Sequence, residues 1–259
     1  MIDTHLHFDD KKFDENRQQL IDGLAEHGIG FVINNSCDLA TMLAGVELAK
    51  NNARIFATVG MHPHEAKHFD TAFVETMEQL ASHPKVVAVG EIGLDYYYDL
   101  SDRATQRDVF ACQLEIADKL GLPVNLHVRD AYGDAADILH AQRKFLNNGV
   151  LWHCYSGSAE FARQMAQKGH YFAFGGAITF KNAKKEEVLA EIPITQVLSE
   201  TDSPYMAPVP LRGTVNTPYN IPIIVAKMAE IYRVTQEEME ERILQNALQF
   251  YPKIQEYLK

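Results

Sequence analysis

Apolar and polar positions follow a recurring unit along this chain. A short, β-rich apolar run is followed by polar, Gly or Pro residues, and then by a stretch where apolar residues return every three or four positions. The runs are Met1 to His7, Gly30 to Ser36, Ile55 to Gly60, Val86 to Glu91, Pro123 to Val128, Val150 to Cys154, Tyr171 to Gly176 and Gln196 to Glu200. Near-continuous runs such as VVAVG suit parallel strands covered on both faces. Between them the helical spacing is readable. Phe110, Leu114, Ala117 and Leu120 line one face of a helix over Thr105 to Leu120, and Gly121 and Pro123 stop it. Phe161, Met165 and Gly169 repeat the pattern after the sixth run. Near the end, Pro218 suits a first helical turn, and Ile221, Ile224, Val225 and Met228 mark a buried stripe. Thr235 and Glu238 form a capping-box pattern ahead of Met239, Ile243, Ala247 and Phe250.

Eight strand-then-helix units predict a (β/α)8 TIM-like barrel. The competing architecture, a doubly wound open sheet, usually has fewer parallel strands and a Gly-rich phosphate loop after the first. Here the first run ends in His-Leu-His, and no GxGxxG or GxxxxGK[ST] occurs. The 259 residues would make about two average domains, but barrels of about 250 residues form one. One domain over 1–259 is the expectation.

Composition narrows the picture. Hydrophobic residues at 46% and charged residues at 23% are ordinary globular usage. The net charge of -11 is poor for gripping long nucleic acid through its phosphates, but leaves room for a nucleic-acid substrate at a site with its own cations. The cysteines, Cys37, Cys112 and Cys154, are odd in number and lack a CxxC spacing. They read as buried, reduced thiols of a cytoplasmic protein. The opening MIDTHLHFDD has no leader-like apolar stretch, and no run reaches the roughly 20 residues of a membrane span.

The chemistry-bearing residues fall at one end of the predicted strands, where barrel enzymes carry their sites. His5 and His7 end the first strand, His62 and His64 follow the third, and Glu91 ends the fourth. His127 ends the fifth, His153 ends the sixth and Asp202 follows the eighth. Six of the eleven histidines are thus at one rim. The other five, His27, His68, His83, His140 and His170, are expected on the solvated surface. A strand's period of two puts His5 and His7 on one face, as two imidazoles on one cation require. His127 and His153 beside Glu91 suit a second cation, with Glu91 able to bridge both. Imidazole and carboxylate donors suit divalent ions. Two ions roughly 3.5–4 Å apart activate water and clamp both oxygens of a phosphoryl or acyl transition state. No GxSxG and no convincing nucleophilic cysteine competes with that reading.

Taken together, DTHLHFD, GMHPHEA, GEIGLDYYYD, HVRDA, HCYSGS and SETDSPYMAP resemble, in order, the motifs of the TatD family of metal-dependent deoxyribonucleases. The resemblance covers nearly the whole chain. It implies a barrel holding two divalent ions (Mg²⁺, Mn²⁺ or Zn²⁺). It matches His5, His7 and Asp202 to the first ion, Glu91 to the bridge, and His127 and His153 to the second. His62 and His64 match histidines near the substrate phosphate, and Arg129, Tyr205 and Asp95 match rim positions. Asp202, Glu91 and His62 are the implied catalytic residues; His62, His64, Arg129 and Tyr205 the implied substrate contacts. After the eighth strand, Arg212, Asn216 and Pro218 follow the family pattern, but Thr217 stands where an acid is common.

The expected activity is hydrolysis of a DNA phosphodiester, on single-stranded or frayed ends and in the 3′-to-5′ direction. Arg129 or Arg212 would help stabilise the developing charge. No membrane association and no protein partner are implied. The same ligand set also serves hydrolysis of a carboxylic ester, lactone, amide or aminoacyl ester. A metal-stabilised binding protein is the non-enzymatic alternative, against which every expected ligand position is filled.

Overall fold

The computed structural model describes residues 1–257; the last two positions of the expected 1–259 domain lie outside the described residues. Eight parallel strands follow one another around a single sheet, each paired with the next. They are β1 Ile2–Leu6, β2 Phe31–Asn34, β3 Ile55–Val59, β4 Val86–Asp95, β5 Val124–Arg129, β6 Val150–Trp152, β7 Tyr171–Phe174 and β8 Val197–Ser199. The helices outside them are α1 Arg17–Asp22, α2 Leu39–Asn51, α3 Thr71–Ala81, α4 Arg103–Leu120, α5 Tyr132–Ala141, α6 Ala159–Ala166, α7 Lys185–Leu189, α8 Ile221–Tyr232 and α9 Gln236–Phe250. The predicted TIM-like barrel is the fold.

Every residue of β1, β2, β3 and β4 is buried, because parallel strands are packed inside the barrel and under the helices at once. Between β8 and β1 the ring is joined, among the described residues, by one isolated bridge beyond the end of β8, between Leu6 and Ser203. Side chains do the rest. Thr4 Oγ1 donates to the Ser199 carbonyl at 3.0 Å, and Ser199 Oγ donates to the Ile2 carbonyl at 2.8 Å. The amino-terminal end is stopped by chain that follows α9. Tyr251, fully buried, donates to Asn125 Oδ1 at 2.9 Å, and Lys253 Nζ reaches the Val86 carbonyl at 3.0 Å.

Helix boundaries follow their caps. Asp102 Oδ1 accepts from Thr105 N–H at 3.0 Å, so α4 starts two residues earlier than its apolar stripe indicates, and left-handed Gly121 ends it. The Thr235–Glu238 capping box starts α9, and Met239, Ile243, Ala247 and Phe250 are buried as predicted. Pro218 begins a short 3₁₀ turn over Pro218–Asn220, with α8 starting only at Ile221.

Four expectations about these elements need correction. His127 lies inside β5, which runs on to Arg129, rather than at its end. β4 runs four residues past Glu91, which therefore lies inside the strand rather than at its end. Cys112 is exposed, because it lies off the buried stripe of α4, while Cys37 and Cys154 are partly buried; all three are free thiols. His170 is not on the surface: it is 7% exposed, and its Nδ1 accepts from the Trp152 indole N–H at 3.0 Å.

Candidate metal centre

The carboxyl ends of the strands bring the predicted histidines together around Glu91. His5 Nε2 lies 2.6 Å from Glu91 Oε1, and His7 Nε2 lies 3.2 Å from the same oxygen. On the other carboxylate oxygen, His62 Nε2 and His127 Nδ1 each lie at 3.6 Å. His153 stacks on His5 with ring centroids 3.6 Å apart. Asp202 approaches from beyond β8, 3.6 Å from His7 Nε2. Among the described residues, three triads have donor atoms within 4.8 Å of one another: His5, His7 and Glu91; His5, His153 and Asp202; and His62, Glu91 and His127. The expected partnership of His127 with His153 is not among them. Their ring centroids are 6.0 Å apart, and the His153 ring lies against His5 instead.

Each imidazole's orientation has a cause. His7 Nδ1 donates to the Asn35 carbonyl at 3.1 Å, which leaves Nε2 facing Glu91 and Asp202. His153 Nδ1 pairs with Glu200 Oε2 at 3.1 Å, and His127 Nε2 with Asp95 Oδ2 at 2.9 Å. Outer hydrogen bonds of this kind set the tautomer and aim the other nitrogen inward. His62 is different. Its Nδ1 accepts the His64 backbone N–H at 3.1 Å, so the neutral ring carries its proton on Nε2 and faces the centre as a donor. His64 stands farther out, with Nε2 3.0 Å from Asp95 Oδ2 in a direction unsuited to a hydrogen bond.

Asp3 and Glu200 escaped the sequence reading. Asp3 accepts from Thr201 N–H at 2.9 Å and from His5 N–H at 3.2 Å, tying the Asp202 loop to β1. Burial pushes its pKa up to about 7, against the Thr201 hydrogen bonds. Glu200 orients His153 and also accepts from Cys154 N–H at 2.6 Å. A signal existed for both: Asp3, His5 and His7 alternate along one strand face, and Glu200 and Asp202 are likewise two apart.

Charge balance in the centre suits a cation. Burial disfavours ionised Glu91, yet the His5 and His7 imidazoles outweigh it and hold the carboxyl well below its usual range. Burial also opposes charge on His7 and His153. Asp202 and Cys37 nevertheless hold His7 well above its ordinary value, and Glu200 with Glu91 raises His153 to about 9. Protons on imidazoles thus balance buried carboxylates, a role that divalent cations fill in sites built of these donors. His5 Nδ1 is buried without a hydrogen-bond partner among the described residues, which costs about 1–3 kcal/mol when nothing compensates. Ring nitrogens, carboxylate oxygens and an unsatisfied buried nitrogen fit metal ligation. His5, His7, Glu91, His127, His153 and Asp202 are the residues that would hold it.

The mouth is a cavity of 350 Å³ lined in part by His127, Arg129, His153, Asp202 and Met206. Arg129 is exposed there. Tyr205 is 45% exposed and donates to Asp10 Oδ2 at 2.6 Å. Asn216 holds the loop after β8 by donating to the Thr201 and Tyr205 carbonyls at 2.9 and 2.7 Å. Arg212 is not part of this mouth: its guanidinium lies 4.3 Å above the Phe180 ring in a neighbouring groove. Thr217 is half-buried, its N–H on Asn216 Oδ1 at 3.0 Å.

Residues 2–252 match the family described as TatD related DNase. The chain is 34% identical over 252 residues to the uncharacterized metal-dependent hydrolase YabD of Bacillus subtilis, covering 97% of this chain and 98% of that one. It is 32% identical over 259 residues to the uncharacterized metal-dependent hydrolase TatD of Mycobacterium tuberculosis, covering 97% of each. The crystal structure of YjjV, a TatD homologue from Escherichia coli, superposes with a TM-score of 0.91 at 30% identity, over 97% of this chain and 98% of that one. An organophosphorus hydrolase from Deinococcus radiodurans shares the fold at 12% identity, with a TM-score of 0.65 over 96% and 92% of the two chains. With these relatives spanning nearly its full length, the chain belongs to the TatD family of metal-dependent hydrolases.

Proposed function

We propose that this protein is a deoxyribonuclease that hydrolyses phosphodiesters at single-stranded or frayed DNA ends, from the 3′ side, with two divalent ions (Mg²⁺, Mn²⁺ or Zn²⁺) held by the six donors named above. The observation that carries the reading is the meeting of His5, His7, His62 and His127 on the two oxygens of one buried carboxylate, Glu91. Bound divalent ions supply Lewis acidity, which makes water a competent nucleophile near neutral pH and offsets phosphoryl charge.

The chain's own groups divide the remaining work. Asp202 sits in the left-handed region at φ 56°, its position set by Asp202 N–H donating to the His5 carbonyl at 2.9 Å. Burial resists its ionisation, but His7 and His153 prevail and keep it a carboxylate. It accepts the proton of the attacking water at its carboxylate oxygen. His62, held neutral by burial and by the nearby His127, offers Nε2–H to a substrate oxygen. Arg129, which has no carboxylate partner among the described residues, supplies positive charge to a phosphate at the mouth. The acidic body supports ends over duplex, because a narrow mouth admits an end without a broad basic surface.

The test is a metal-supplemented assay of 3′-labelled single-stranded DNA beside a panel of lactones and carboxylic esters, across Mg²⁺, Mn²⁺ and Zn²⁺. Stepwise loss of 3′ nucleotides is expected. Ester or lactone turnover with intact DNA under all three ions would move the assignment to the carbonyl chemistry that the same donors serve.

A further inference from the structure

Immediately beyond β4, the chain exposes two aromatic rings beside the mouth. Tyr97 and Tyr98 are 57% and 53% exposed, an unusual position for rings that otherwise gain by burial. They meet edge to face at 4.8 Å between centroids. The Arg129 guanidinium lies 3.9 Å from the Tyr97 ring centre and 5.0 Å from that of Tyr98. Arg129 also lines the cavity that His127, His153 and Asp202 share. On the inner side Tyr98 meets His64 edge to face at 5.4 Å. The lip is therefore continuous with the centre.

One carboxylate fixes this arrangement. Asp95 Oδ1 accepts the backbone N–H groups of Tyr97 and Tyr98 at 3.0 and 2.9 Å, forming the turn that presents both rings. Its other oxygen accepts from His127 Nε2 at 2.9 Å. Asp95 is itself buried. The turn that carries the rings and a histidine of the metal centre thus share one buried anchor.

We propose that Tyr97 and Tyr98, with Arg129 laid against them, form a stacking lip for the unpaired bases next to the scissile phosphate. The inference rests on the nuclease reading and adds the basis of its strand preference. Unstacked bases settle on aromatic faces and guanidinium planes. Arg129 has both features this place calls for, a plane on the side of the tyrosines and a charge on the side of the cavity. Paired bases in a duplex interior have their faces covered by neighbours, so the lip selects single-stranded or frayed ends. Stacking reads no base edge, so it carries little sequence preference.

The experiment compares two 3′-labelled single-stranded oligonucleotides, one with natural bases and one with abasic residues at its last positions, using the full chain with Mn²⁺. Wild-type protein should show a KM about 5- to 150-fold lower for the natural strand, the range set by stacking of one base on an aromatic ring, with kcat changed much less. In Tyr97→Leu the two KM values should converge to within about two-fold. Tyr97→Phe should restore the gap, because the Tyr97 hydroxyl makes no hydrogen bond among the described residues. Circular dichroism checks that both variants are folded. Equal KM values for the two strands in wild-type protein, or an unchanged gap in Tyr97→Leu, would overturn the lip and leave the nuclease reading standing. Cleavage of neither strand, beside turnover of a lactone, would overturn both.

Discussion

Individual side chains here are constrained more by their hydrogen-bond partners than by residue type. Glu200 lies behind His153 rather than facing the centre. Removing an outer carboxylate of this kind typically costs 10–100-fold in metal affinity. Glu200→Gln should therefore weaken metal binding by about that factor, measured by competition with a metallochromic chelator, while the far-ultraviolet circular dichroism spectrum stays unchanged. His170 makes the opposite point, a histidine away from the centre that matters for stability. Burial lowers its pKa from 6.5 to about 4, and its Nδ1 is needed unprotonated to accept from Trp152. Between those two pH values the unfolded chain binds more protons than the folded one, so stability falls as pH falls. At 1.36 kcal/mol per unit the loss amounts to about 3 kcal/mol, complete near pH 4 and absent above pH 6.5. Urea unfolding across this window should be flatter in His170→Gln, which keeps an acceptor for the indole without gaining a charge; an unchanged pH slope would remove His170 from the account.

Among the elements, β4 departs most from a simple barrel strand. It is the longest of the eight, and its register with β5 shifts between Val89 and Ile92, where Glu91 turns toward the histidines. Gly93 follows at φ 139°, and a Cβ there would collide with the His127 carbonyl oxygen. Backbone cannot yield to such a contact as a side-chain tip can. Gly93→Ala should cost more than about 2 kcal/mol in urea unfolding, combining the backbone strain with the displaced strand. The same push on β5 moves His127, so metal affinity should drop with stability. A variant as stable as wild type would mean that β5 gives way easily.

Across the whole molecule, the ends of β1, β3, β4, β5, β6 and β8 bring carboxylates and imidazoles into one small volume, and a divalent cation that binds only the folded state would stabilise it. At a metal concentration 1,000-fold above Kd the gain is about 4 kcal/mol. For a chain of this size that corresponds to a rise of roughly 10 °C in Tm. Thermal unfolding with a chelator, and then with excess Mn²⁺, should differ by about that amount. Glu91→Ala should remain folded, lose most of the Mn²⁺-dependent rise and lose turnover. A full rise in that variant would show that the cation binds without the carboxylate shared by four histidines.

Much of this protein was legible in its linear pattern. Strand periodicity, helix stops and caps depend on neighbours a few residues apart, so the eight-unit barrel, the Gly121 stop and the Thr235 cap could be read directly. Polar residues recurring at one end of apolar runs likewise marked which side chains converge. Other features depend on which strands become neighbours and on the atoms that meet there. The stacking of His153 on His5, the anchoring of His153 by Glu200 and the burial of His170 under Trp152 each arise from contacts between different strand-and-helix units. Local sequence determined the elements and the end of the barrel that carries chemistry. Tertiary packing determined which nitrogen of His7 and of His127 faces Glu91, because each ring's orientation is set by the hydrogen-bond partner that folding places behind it, the Asn35 carbonyl and Asp95.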